Sequence, residues 1–278
     1  MKVLAPAKVN IALNVVGIMD NGYHELDMIM APISLYDEMN IQTIHGSEDI
    51  ILCNGAQLPK VNTIEKSIEL MRNQYGLDHH YLVEVTKEIP MEAGLAGGSA
   101  NASATLKAIN EIENLNCTEE ELIELGKKIG ADVPFCIVNE WARVQGIGEK
   151  IRRLDCDWKF KILLVKPKEG VSTPASFSLW DQQENRELDV DIVEDALLQK
   201  NEELLYTTMV NDLEPVGQKL LPVLDTIKED MNDLGIVRVM MSGSGSSMMG
   251  FSVDEDVLEH AAEVLKDKYE FVRVVTVG

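Results

Sequence analysis

"PMEAGLAGGSANASATLKAIN", residues 90–110, sets three glycines within the five positions from Gly94 to Gly98 and then runs directly into an alanine-rich amphipathic stretch. Glycine loses more backbone entropy on ordering than other residues, roughly 0.5–1 kcal/mol against alanine in regular structure. A cluster of them in front of a helix therefore needs a compensating reason. Upstream, "YLVEVTKEI" (Tyr81–Ile89) alternates as a strand. Strand, glycines and helix in that order aim unpaired backbone N–H groups at an anion, and glycine lets the main chain approach it. Ser99 is the expected N-cap and a candidate phosphate or Mg2+ contact. The same spacing also suits a tight turn for close helix packing, and spacing alone does not choose between the two. The Gly-Lys-Ser/Thr ending of a P-loop is absent, as is GxGxxG.

On either side the pattern is mixed. "YHELDMIMAPISLYDEMNIQTI" reads as strand, broken at Pro32 and by a turn at Asp37-Glu38. "NTIEKSIELMRNQYG" reads as a helix boxed by Asn62 and Glu65, with Ile64, Ile68 and Met71 on one face and Gly76 at its end. Leu106, Ile109, Ile112 and Leu115 mark the helix after the glycines; Thr118 and Glu121 open another that closes at Gly130. "ADVPFCIV" and "WARVQGIGEKI" read as strand or turn, Pro134 favouring an extended Val133. The character changes near Asp155–Trp158. Beyond it come a buried strand "FKILLVKP", a nearly continuous helical pattern over 190–234, a glycine-split strand pair "IVRVMMSGSGSSMMGFS", a helix "EDVLEHAAEVLKDKY" and a last strand "FVRVVTV". This β-α-β-β-α-β-like order predicts an α+β unit of ferredoxin-like type. The expected division is 1–157 and 158–278.

The chain of 278 residues is 45% hydrophobic and 26% charged, an ordinary globular balance. Its formal net charge of −22 opposes a nucleic-acid partner, which calls for a basic stripe. Any anion site must therefore be locally positive, supplied by backbone amides, a helix N-terminus and one or two lysines. No window approaches the roughly eighteen apolar residues of a spanning helix, so no membrane partner is expected. The first residues, "MKVLAPAKVNIALNVVGI", lack a basic leader and cleavage site, and a cytoplasmic protein is expected. Cys53, Cys117, Cys136 and Cys156 show neither CxxC nor CxH spacing and read as buried free thiols.

Several residues invite chemistry. Lys8, within the apolar "APAKVNIALNV", must find a partner or snorkel from an edge strand. Asp132 in "GADVPF" is a carboxylate in apolar surroundings, or a turn aspartate. "DNGYHEL" turns into a strand with Tyr23 and His24 on alternate sides; a core tyrosine and a surface histidine is the plain alternative. His79 and His80 lack a ligand pattern and read as solvent-exposed. The stretch from Ser242 to Ser247 is a hairpin or a second backbone approach to ligand.

Taken in order, "APAKVNIALNV", "NGYHEL", "IPMEAGLAGGSANASATL", "GADVPF", "GIGE" and "MSGSGSSMMGF" resemble the GHMP small-molecule kinases over nearly the whole chain. The resemblance implies an α+β, two-domain fold: a ribosomal-S5-domain-2-like N-terminal half and a ferredoxin-like C-terminal half. It implies ATP and Mg2+ as cofactors. It further implies that Pro90, Ala93, Gly94, Leu95, Ala96, Gly97, Gly98, Ser99 and Asn101 surround the ATP phosphates, with Asn62 on the adenosine side. Lys8 and Asp132 look like the catalytic pair, and Asn10 the neighbour of the acceptor alcohol. Tyr23 and Phe177 would sandwich a cytosine ring whose polar edge meets His24, and Gly243 and Gly245 would bring backbone to a cytidylyl polyol substrate. A monomer or weak homodimer is expected. The chain departs from the family pattern at Ala100, where a second serine is usual, and at Val61–Ile64. Alternatives are a kinase of the same fold acting on mevalonate, homoserine or a sugar, and a non-catalytic nucleotide-binding protein.

Overall fold

The computed structural model describes residues 1–59, 61–183 and 188–278, which form two compact units interleaved along the chain. One comprises Met1–Ala7, Leu35–Pro90 and Ala96–Asn139; the other comprises Lys8–Ser34, Met91–Leu95 and Glu140–Gly278. Two long strands, β1 (Lys2–Ile18) and β2 (His24–Ile44), contribute to both.

In the first unit β3 (Ile50–Asn54), α1 (Thr63–Tyr75) and β4 (His80–Thr86) precede the glycine turn, and α2 (Gly97–Ile112), α3 (Glu119–Lys127) and α4 (Val133–Val138) follow it. Strand β4 pairs antiparallel with β2, Glu38 opposite Thr86, and parallel with β3, Ile50 opposite Leu82. Helix α1 starts at Asn62, whose side chain accepts from the Glu65 amide, and ends at Gly76 in the left-handed region. Its buried face is Ile64, Ile68 and Met71, as the spacing predicts. Leu106 and Ile109 of α2 are buried, each stabilising the fold by about 1.5–3 kcal/mol. Both halves of the Thr118–Glu121 capping box form.

In the second unit β5 (Ala142–Gly146) and β6 (Lys150–Arg153) make a hairpin whose turn is the "GIGE" stretch, with β5 paired to β2, Leu26 opposite Gly146. Then follow β7 (Phe160–Lys166), α5 (Thr173–Trp180), α6 (Val190–Leu198), α7 (Glu202–Thr208), β8 (Val210–Asn211), α8 (Glu214–Leu220), α9 (Val223–Asp233), β9 (Arg238–Met241), β10 (Met248–Phe251), α10 (Glu255–Leu265) and β11 (Phe271–Val277). The sheet order is β11-β7-β10-β9, antiparallel throughout. Counted from β7, that is 4-1-3-2, the ferredoxin-like arrangement expected from the element order.

Local expectations differ from the structure in several places. Strand β2 does not break. Pro32 falls between the stretch paired with β5, which ends at Met30, and the stretch paired with β4, which starts at Glu38; there its carbonyl accepts from the Gly278 amide. Asp37 is no turn residue but points into the core. "VPFCIV" is helix: Pro134 sits in the first turn, where its missing N–H costs nothing, so Val133 is helical rather than extended. Helix α2 ends at Ile112, leaving Leu115 beyond it, and α3 ends at Lys127 rather than Gly130. The pattern over 190–234 is interrupted by β8, which pairs parallel with β1, Leu13 opposite Asn211. Only Cys136 of the four free thiols is buried. His79 is exposed and faces Glu113, while His80 is part of β4 and lies 3.5 Å from Asp49. Among the described residues, no helix is long and apolar enough to cross a membrane.

Candidate active site

The glycine turn is held by its carbonyls. Those of Glu92 and Ala93 accept from the Ser246 and Ser247 amides, that of Gly94 from the Ser242 hydroxyl, and that of Leu95 from the Lys8 amide. Ala93 and Leu95 bury their side chains. Among the described residues, no protein acceptor pairs with the main-chain amides of residues 91–99, whereas pairing resumes at Ala100, which donates to Ala96. The turn thus spends its acceptors on the protein and keeps its donors, which is the polarity an anion requires.

Gly94 has φ of +72°, and a Cβ there would lie 2.0 Å from the Ser242 carbonyl oxygen. A Cβ on Gly97 would lie 2.9 Å from Ile89 Cγ2. Both positions thus demand glycine for close approach. Gly98 has only ordinary contact with Thr63, whose hydroxyl donates to the Gly98 carbonyl at 2.6 Å. The helix cap differs from expectation: the N-cap is Ala96, in the left-handed region with no side-chain bond, and Ser99 lies inside the first turn. Pro90 is half-buried at the head of the turn.

Asn101 does not face the glycine turn's amides with its side chain, because that side chain is committed elsewhere. Only 2% exposed, it donates through Nδ2 to Asp37 Oδ2 at 2.8 Å and accepts from Lys87 Nζ at 3.0 Å. Asp37, fully buried, also accepts from the Glu88 and Ile89 amides at 2.9 Å each and is ion-paired to Lys87. Asn62 caps α1 and lines a cleft of about 370 Å3 with Asp49, Cys53, Leu58 and Pro59 among others.

Lys8 is a buried rather than an edge lysine, 4% exposed. It shares a face of β1 with Asn10, two residues on, and donates to Asn10 Oδ1 at 2.7 Å. Asn10 Nδ2 in turn points at Met28 Sδ, 3.4 Å away. Gly243, with φ of +57°, comes so close to this pair that a Cβ would stand 3.2 Å from Asn10 Oδ1 and 3.4 Å from Lys8 Nζ. Gly245 is also left-handed. The Asn211 amide fixes this second glycine turn by donating to the Met241 and Gly243 carbonyls at 2.7 and 2.8 Å. Asp132 occupies the N-cap position of α4 in the other compact unit, half-buried, and its carboxylate does not cap the helix.

His24 and Phe177 meet. Their rings stack with centroids 4.4 Å apart and 27° between planes; Trp180 lies edge-on to His24 at 5.8 Å. His24 Nε2 bonds Asp181 Oδ1 at 2.6 Å, and Trp180 Nε1 donates to Asp212 at 2.9 Å. Tyr23 stands 60% exposed in the turn between β1 and β2. Asp37, Lys87, Asn211, Asp181 and Trp180 were not singled out by sequence reasoning. Asp37 had a signal: it occupies an inward position of the alternation Ile33, Leu35, Asp37, Met39, Ile41.

A donor-rich glycine turn opening a helix, and a 4-1-3-2 sheet bearing a second glycine turn beside a buried lysine, describe a small-molecule kinase of the GHMP type. A family model for the GHMP kinases N terminal domain matches residues 62–140, and one for the GHMP kinases C terminal matches residues 193–270. The chain belongs to the GHMP kinase family. It is similar to the 4-diphosphocytidyl-2-C-methyl-D-erythritol kinase of Lachnospira eligens, 39% identical over 280 residues that cover 99% of this chain and 97% of that protein. Its similarity to the same-named kinase of Clostridium perfringens is 40% over 278 residues, covering 98% and 95%. A crystal structure of 4-(cytidine 5'-diphospho)-2C-methyl-D-erythritol kinase superposes with a TM-score of 0.84 at 29% identity, covering 100% of this chain and 99% of that one.

Proposed function

We propose that the protein phosphorylates the 2-hydroxyl of 4-diphosphocytidyl-2-C-methyl-D-erythritol with ATP, a step of non-mevalonate isoprenoid biosynthesis in the cytoplasm. The observation that carries the phosphoryl-transfer reading is the polarity of the glycine turn, whose carbonyls are bonded inward and whose amides are not. Phosphoryl transfer leaves a protein mainly positioning and charge stabilisation to supply. The amides of residues 94–99 receive the β/γ-phosphates. Asp132 takes the proton of the acceptor hydroxyl as it attacks the γ-phosphorus and the bond to the β-phosphate oxygen breaks. The Lys8 ammonium steadies the acceptor oxygen, and Asn10 holds the lysine in place. The Ser99 hydroxyl, in the first turn of α2, would hold a Mg2+ ion brought by ATP, which would supply charge neutralisation at the phosphates. His24, with Nε2 engaged by Asp181, keeps Nδ1 for a cytosine edge, and Phe177 offers a ring for stacking. Tyr23 is exposed and able to close over the base. The chain works as a monomer or weak homodimer, with the family's two domains dividing near 157/158.

The test is direct. Purified protein with ATP, Mg2+ and the cytidylyl alcohol is expected to give a new phosphomonoester at the 2-position by phosphorus NMR. Transfer to mevalonate, homoserine or a sugar, with none to the cytidylyl compound, would overturn the substrate; binding of ATP without transfer to any alcohol would overturn the reaction.

A further inference from the structure

The turn at 90–100 is covalently continuous with two roots: the stretch Lys87–Ile89 that follows β4, and the first turns of α2. One carboxylate ties both. Asp37 Oδ1 accepts from the Glu88 and Ile89 amides, while Oδ2 receives Asn101 Nδ2 from α2 and Lys87 Nζ. Lys87 closes the ring on Asn101 Oδ1. All of these residues belong to one compact unit, and Asp37 is fully buried. We propose that Asp37, through Lys87 and Asn101, is a positioning residue that fixes both roots of the glycine turn and so sets the spacing of its phosphate-receiving amides.

The argument is one of geometry and cost. A buried charge normally demands compensation, and Asp37 has four donors, one of them its ion-pair partner Lys87, so it has one low-energy arrangement. Its partners hold few alternatives: Asn101 Oδ1 and Nδ2 both have partners in the ring. Gly97 packs against the same root, since a Cβ there would lie 3.3 Å from Lys87 Nζ. The glycines between the roots are conformationally loose by themselves; the carbonyl bonds described above hold residues 92–95, and the amides of residues 96–99 take their placement from the α2 root. The inference rests on the proposed role of the turn in binding ATP.

Asp37→Asn keeps one oxygen for the Glu88 and Ile89 amides but presents an amide group to two donors. Asn101→Ala removes only the α2 arm and leaves the Asp37–Lys87 pair intact, so it is the variant that spares the fold. Both are expected to weaken ATP by about ten- to a hundredfold, the scale of a misplaced positioning group. That change is read as KM or, by calorimetry, as Kd, with KM for the alcohol within about twofold of wild type in the same assay. A purely structural role would lower the melting temperature or active fraction and leave KM for ATP where it was. Hydrogen exchange without nucleotide supplies a readout independent of turnover: the α2 amides from Ala100 onward should exchange faster in both variants, and the Glu88 and Ile89 amides faster in Asp37→Asn. Folded variants with wild-type ATP affinity, or with unchanged exchange at those amides, overturn the clamp. Failure of the wild type to phosphorylate the alcohol overturns the proposed function instead, and the exchange result still judges the clamp.

Discussion

Gly94 combines a left-handed φ of +72° with a backbone oxygen 2.0 Å from any added Cβ, so neither strain nor collision can be relieved by a rotamer change. Gly94→Ala is expected to cost about 3 kcal/mol or more and to abolish ATP-dependent thermal stabilisation, checked by melting with and without nucleotide. Asp132 predicts a different signature. If it is the base, Asp132→Asn lowers turnover by about 10²–10⁴ while folding and nucleotide binding stay near wild type; near-normal turnover would remove it from the role. Ala100 is fully packed in α2, so the serine missing from the family pattern is a lost hydroxyl in a buried turn. Lys8 and Asp132 were legible as residues, since charges in apolar runs stand out. Asp37 was passed over because Asp followed by Glu reads as a turn when local preference is weighed ahead of alternation.

Among the elements, α6 depends on a charge network for its place beside β5 and β6. Arg143 Nη2 donates to Asp27 at 2.6 Å and Nη1 to Glu194 at 3.1 Å, and Arg152 donates to Glu194 at 2.6 Å. Burial pushes the Glu194 carboxyl up, but hydrogen bonds from Arg152 and Arg143 outweigh it and hold it below its ordinary value. A carboxyl held low in the folded state adds stability above its unfolded pKa, about 4.3, and loses it as pH falls through the folded one. Glu194→Gln should therefore cost about 1–2 kcal/mol at neutral pH, partial exposure of Arg152 limiting the effect. The difference should shrink to nothing below about pH 4, as read from urea melts across pH. Thr118→Ala should cost about 1 kcal/mol by opening the box at the head of α3. The Thr118–Glu121 box, the Asn62 cap, Gly76, the buried face of α1 and the Leu106–Ile109 part of α2 were legible because a cap or a helical stripe involves residues three or four apart. The ends of α2 and α3, the helix at "VPFCIV" and the interruption at β8 were not, because each depends on a partner far along the chain or on which face is already covered.

For the whole molecule, a charge of −22 does not oppose the polyanion site proposed above, because net charge sums the surface, whereas the proposed site draws on backbone amides and the buried Lys8 ammonium. ATP at about a hundred times its Kd should stabilise the protein by about 2.7 kcal/mol, and Asp132→Asn should keep that shift. A nucleotide that leaves the melting temperature unmoved would contradict the amide cradle. The amino-acid sequence by itself determined most of the element types, the ferredoxin-like order of the last strands and the positions where glycine, lysine and carboxylate stand out, because periodicity, turn chemistry and helix capping act over a few residues. Only the tertiary structure decided that four successive carbonyls of the glycine turn face inward, that Asp37 binds both of its roots, and that His24 covers Phe177. Those facts are pairings between segments 50 to 154 residues apart, and a hydrogen bond or a ring contact across such a distance leaves no period in the chain to read.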